Sequence, residues 1–178
     1  SALAINSTGS DEYVMSVPRT DPLVCQEGHP TVCLWPEHQD RLPQVSQALA
    51  QAQQTLTEHG APALSDRISE HEGDGAGPLG YRRDLSEAPM VTNAAYISLA
   101  QQAGREKCGK TGLRSAAVAM ALAAGHELKD IYPYEKPPQS MRELSRQPVD
   151  QLIARAQRDL LTVAECCLLY TSDAADEE

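Results

Sequence analysis

The sequence predicts a mainly α fold with a small β element (α+β), four to five helices packed with a short N-terminal hairpin. Three observations carry this. Apolar residues recur at three- and four-residue spacing over three stretches, the period of a helix face, and a fourth stretch is apolar on nearly all sides. Residues of the AVILMFWYC class make up 41% of the chain but aromatics only 4%, with no Phe and one Trp, so the core must be Leu, Ala, Val and Ile. Two short strand-like runs, each stopped by proline, stand before the first helix. At 178 residues the chain has the length of one domain, long enough to bury roughly 70% of its unfolded surface.

The elements follow in order. Ser1 to Asp11 is small and polar and reads as a linker. Tyr13-Val14-Met15-Ser16-Val17 is a short strand closed by Pro18, and Thr31-Val32-Cys33-Leu34-Trp35 is a second, closed by Pro36. Gly28-His29-Pro30 supplies the turn chemistry before it. From about Asp40 the residues Leu42, Val45, Leu49, Ala52 and Leu56 form an apolar stripe backed by Gln and Glu, and Gly60 stands where glycine ends helices. Residues 61–90 hold Pro62, Pro78, Pro89 and a Gly-rich run, which predicts a long loop with one short strand near Arg67-Ile68. A helix resumes at Thr92, with Thr92 or Asn93 as N-cap and Ala95, Leu99 and Ala103 on one stripe. Gly104 to Gly112 interrupts it. Leu113 to Ala124 is apolar on nearly all sides, the mark of a buried helix, and Gly125 closes it. Tyr132 to Pro138 reads as an extended connection. Ser140 with Glu143 makes a capping-box pattern. Pro148 opens a last helix, striped by Val149, Leu152, Ile153, Ala156, Leu160 and Leu161.

Charge excludes some functions. With 25 acids against 15 bases and a net charge of −10, no basic face is offered to a phosphate backbone, and no nucleic-acid partner is expected. The longest apolar runs fall short of the roughly 20 residues that span a bilayer. The far end is unusual: Cys167 to Glu177 resembles the in-frame translation of a transposase sequencing adapter. Residues 167–178 are therefore expected to be an artefactual, disordered tail, and 12–166 the single globular domain of a longer protein cut at both ends. Without Asp173, Asp176, Glu177 and Glu178 the net charge falls from −10 to −6, and the cysteines fall from five to four, with Cys166 at the junction.

Three constellations could carry chemistry. Gly104 to Thr111 fits the phosphate-loop pattern G-x-x-x-x-G-K-[ST], in which Gly109, Lys110 and Thr111 would meet a nucleotide. That loop should leave a buried strand, yet the residues before it have helical periodicity, so a helix–loop–helix corner is the competing expectation. Cys25, His29, Cys33 and His38 place two thiols and two imidazoles within fourteen residues. They could hold zinc in a tetrahedron. They could equally leave Cys25 and Cys33 as a disulfide across the Gly-His-Pro turn. Finally, carboxylates adjoin imidazoles at Glu37-His38, Glu58-His59 and Glu70-His71-Glu72, pairs able to serve acid–base or metal chemistry. A metal-binding or hydrolase-like centre would use His29, Cys33, Glu37 and His38. Of these His38, after Trp35-Pro36 at a strand end, is placed like a site residue, though orienting a turn is the competing role.

The segment Val32-Cys33-Leu34-Trp35-Pro36-Glu37-His38, followed by Leu42-Pro43 and an amphipathic helix, resembles an extracytoplasmic domain of unknown function carried by actinobacterial, ABC-type permease-like membrane proteins. The resemblance covers most of residues 13–166, and Cys25, Cys33, Cys108 and Cys166 fall at matching places. It implies a non-enzymatic domain at the cell membrane, on the extracytoplasmic side, working by interaction or gating. It further implies an oxidising compartment, a Cys25–Cys33 disulfide and a second one joining Cys108 to Cys166. Trp35, Pro36, Glu37 and His38 become the candidate functional motif. The implied partners are a transmembrane portion of the same chain and an ATPase subunit. No cofactor is expected.

Overall fold

A computed structural model describes residues 20–70, 79, 86–104 and 111–176, and of residues 111 and 166–176 the backbone alone. The fold is mainly helical with a small sheet, as the periodicity implies. Strands β1 (Val24–Gln26) and β2 (Thr31–Leu34) form an antiparallel hairpin. A 3₁₀ turn over Pro36–Arg41 leads into α1 (Leu42–Glu58). Strand β3 (Arg67–Ser69) then lies parallel to β2, in the order β1-β2-β3. Helices α2 (Glu87–Ala103), α3 (Thr111–Ala123), α4 (Leu128–Ile131), α5 (Gln139–Leu144) and α6 (Val149–Asp176) complete the described chain.

Among the described residues there are six helices, where four to five are expected. The two additions, α4 and α5, span four and six residues, too short to show a periodic stripe. The hairpin's first strand is β1, the three residues Val24-Cys25-Gln26, too short to show an alternating pattern; the expected strand at Tyr13–Val17 lies outside the described residues. The short strand near Arg67-Ile68 is present as β3.

Helix ends depart from expectation where proline or side-chain bonding is involved. Helix α2 starts five residues before Thr92, with Pro89 in its first turn. Proline is tolerated there because the first N–H groups of a helix have no intrahelical acceptor. Thr92 is therefore interior, and its hydroxyl donates to the Ala88 carbonyl (2.8 Å). Ser140 lies inside α5, and the Ser140/Glu143 capping box does not form; Pro138 is the N-cap, with no side-chain bond, and Glu143 accepts from Gln139. Gly104 ends α2 at φ +91° and Gly125 follows α3 at φ +102°, a left-handed backbone that favours glycine.

The core is built as composition demands. Ala116 to Ala121 of α3 have no exposed surface, and α3 packs against both α2 and α6. Alanine lets helix axes approach closely, and Leu99, Met120, Leu152 and Ile153 fill the space between. On α6 the stripe holds through Ala156, but Leu161 is 61% exposed. The α6 backbone continues to Asp176, where a disordered tail is expected. No Gly or Pro interrupts 149–176, so nothing in the chain stops helix propagation. Among the described residues no helix is long and apolar enough to cross a membrane.

Candidate functional site

The Trp-Pro-Glu-His segment is held at the sheet by a residue from another strand. Trp35 leaves β2 in extended conformation (φ −62°, ψ 150°), and Pro36, with its fixed φ, begins the 3₁₀ turn. The His38 N–H closes that turn on the Trp35 carbonyl at 2.8 Å. The turn's N-cap residue, Trp35, makes no side-chain capping bond. Glu70 caps the turn from the end of β3: its Oε1 accepts the Trp35 N–H at 3.0 Å and His38 Nδ1 at 2.8 Å, and Oε2 lies 3.1 Å from Nδ1. The Glu70 side chain is 2% exposed and that of His38 13%.

A carboxylate has only acceptors, so Nδ1 carries the hydrogen and donates it. The buried carboxylate is satisfied by one backbone and one imidazole donor, and an acid at the start of a helical turn also complements the dipole there. The pair is therefore a clasp. It fixes the direction in which the chain leaves the sheet and the orientation of the imidazole.

Register delivers Glu70 to this place. Thr31 pairs with Arg67, Val32 with Ile68 and Cys33 with Ser69, and the Glu70 N–H donates to the Cys33 carbonyl at 3.1 Å. A slip of one residue in β3 would turn Glu70 to the other face. The segment before β3 is pinned accordingly. Gln53 of α1 accepts the Leu64 N–H, Ser98 of α2 accepts the Ser65 N–H, and Gln102 donates to the Ala63 carbonyl, each at 2.8 Å.

Cys25 and Cys33 face each other across the β1–β2 ladder and form a disulfide, with Cys33 buried and Cys25 exposed. Arg67 Nη2 stands 3.9 Å from Cys25 Sγ. This bond removes both cysteines from the zinc set of Cys25, His29, Cys33 and His38 while it is oxidised, because a disulfide sulfur is no thiolate ligand, and it takes the thiol from the centre of His29, Cys33, Glu37 and His38. His29 is exposed before Pro30, across a cis peptide bond, while His38 is committed to Glu70. Among the described residues no three His, Cys, Asp or Glu side chains stand together as a metal site.

The phosphate-loop context also fails. Gly104 ends α2, so a helix rather than a strand enters the loop; residues 105–110 lie outside the described residues. So does Cys108, and of Cys166 only the backbone is described, which leaves the implied Cys108–Cys166 bond outside view. His59 is the exposed C-cap of α1, and His71 and Glu72 are outside the described residues. Sequence reasoning missed Glu70 as the partner of His38, and no local signal could have found it, since 32 residues separate them. A cavity of about 430 Å³ between α5 and α6, lined by Ser140, Glu143, Gln147, Gln151, Arg155 and Arg158 among others, includes none of the motif residues.

Comparison with known proteins bears on the same region. No curated protein and no solved structure matches the chain. One family model does, over residues 32–157, from the middle of the hairpin into α6 and so through the Trp-Pro-Glu-His turn and Glu70. By that match the chain belongs to the family described as Domain of unknown function (DUF7224).

Proposed function

We propose that the chain is the extracytoplasmic domain of a permease-like membrane protein, acting through interaction or gating rather than catalysis. The observation that supports this reading most is the Cys25–Cys33 disulfide, since such bonds persist in oxidising compartments and are rare where thiol systems keep cysteines reduced. The Glu70 clasp agrees with it. Its carboxylate is engaged by the Trp35 N–H as well as by His38, which suits a role in holding a surface turn. The transmembrane portion belongs to the same polypeptide, and an ATPase subunit drives the assembly.

Two measurements on the full-length protein in its own membrane test the proposal. Protease added to intact spheroplasts should remove the domain while a cytoplasmic marker survives. Alkylation without reductant should leave Cys25 and Cys33 unlabelled. A protease-protected domain, or two labelled cysteines at these positions, overturns it.

A further inference from the structure

The two sulfurs of the disulfide live in different surroundings. Cys33 has no exposed surface. Cys25 is exposed and sits on β1, the edge strand, where an attacking group can approach from outside the sheet. Arg67 reaches from β3 across the width of the sheet to place its guanidinium 3.9 Å from Cys25 Sγ. A cation beside one sulfur attracts an incoming thiolate and stabilises a departing one.

We propose that Cys25–Cys33 is a thiol–disulfide exchange site for a dithiol partner, with Cys25 as the sulfur attacked and Arg67 as the cation that attends it. A partner thiolate attacks Cys25 Sγ and forms a mixed disulfide. The Sγ–Sγ bond breaks, its electron pair goes to Cys33, and Cys33 takes up a proton. The partner's second thiol loses its proton and attacks the partner sulfur of the mixed disulfide. Cys25 is expelled as a thiolate facing Arg67 and is then protonated. The partner departs as a disulfide, two electrons poorer, and the domain holds two thiols. The same path reversed, with an oxidised partner, restores the bond. Reduction frees β1 from its covalent tie to β2, the strand that leads into the Trp35–His38 turn.

The test uses the oxidised full chain, with dithiothreitol as the dithiol. Samples are quenched with iodoacetamide and mapped by peptide mass, so that Cys25 and Cys33 are read apart from the other cysteines. The expected result is complete reduction while the helical circular dichroism is unchanged. Arg67→Gln should slow it about fivefold at low salt, as expected for losing one charge at ~4 Å in water. Arg67→Lys should stay near the parent rate, and the parent's advantage over Arg67→Gln should close in roughly 1 M salt. With glutathione, a single thiol, the trapped adduct should sit on Cys25. An adduct on Cys33, reduction only after urea unfolding, or salt-independent rates equal in the parent and Arg67→Gln each overturn the inference. If Arg67→Gln does not fold, the adduct position and the parent's salt dependence decide. A bond that forms but resists native reduction defeats this inference alone; cysteines never oxidised defeat the proposed function as well.

Discussion

Six consecutive residues of α3, Ala116 to Ala121, are fully buried among Leu, Val and Met from the neighbouring helices. By contrast, three strands of three, four and three residues make the whole described sheet. The helical region needs no special device, because each turn satisfies its own backbone and burial supplies the rest at roughly 25 cal/mol per Å². A sheet this small has few ladder bonds and little area to bury, although Val32, Leu34 and Ile68 on one face and Cys33 and Ser69 on the other have no exposed surface. It is secured by a disulfide, by the carboxylate clasp and by side-chain bonds from α1 and α2 to the segment before β3. Where burial suffices a fold can be plain; where it does not, specific polar and covalent ties appear.

Perturbing each region separately sharpens or breaks this contrast. The largest effect is expected in the helices: Leu99→Ala, at a fully buried position, should cost about 3 kcal/mol through lost burial and the cavity left behind, read by urea denaturation. The double variant Cys25→Ser/Cys33→Ser should lose about 2.5 kcal/mol by the loop-entropy estimate. If helical and sheet probes melt together in it, the two regions form one cooperative unit. Glu70→Leu leaves the Trp35 N–H and the His38 imidazole without their acceptor and should cost about 2 kcal/mol, with Glu70→Gln milder because its amide oxygen still accepts. Equal stability of Glu70→Leu and the parent would show that the clasp is dispensable.

The smallest effect concerns His126, just after α3. Burial lowers its pKa below the ordinary value of 6.5, with Glu87 and Asp130 opposing. Because the folded state binds the proton less readily than the unfolded state, its contribution is fully present above pH 6.5 and lost as pH falls below that value. The thermal midpoint of the parent should therefore drop more between pH 7.5 and 5.5 than that of His126→Gln. Identical slopes would show that the imidazole is no more buried folded than unfolded.

What could be read from the sequence follows the same division. The stripe Leu42, Val45, Leu49, Ala52, Leu56 is buried on α1 as its spacing implies, and the all-round apolar α3 lies in the core. The start of α2 was not legible, because Pro89 reads as a loop signal unless the helix frame is already known. Leu161 fits the stripe of α6 by spacing but is exposed, since periodicity gives a face and not how far a neighbour covers it. Strand β1 has only three residues, too few for a period-two signal, and pairing with β2 makes it a strand. For Cys25 and Cys33 the spacing left zinc and disulfide open, and the ladder register that sets them opposite each other settled it.

By itself, then, the sequence determined the helical class, the aliphatic core and the place of the Trp-Pro-Glu-His turn. These depend on composition and on local periods of 3.6 and 2, which any short window contains. Only the tertiary structure decided that Glu70 caps that turn, that β3 runs parallel to β2, and that Arg67 stands beside Cys25. Each of these joins residues 32 to 42 positions apart, or 36 along the β2–β3 register. Such pairings are fixed by strand register and by the packing of α1 and α2 on the intervening segment, and no short window of sequence encodes them.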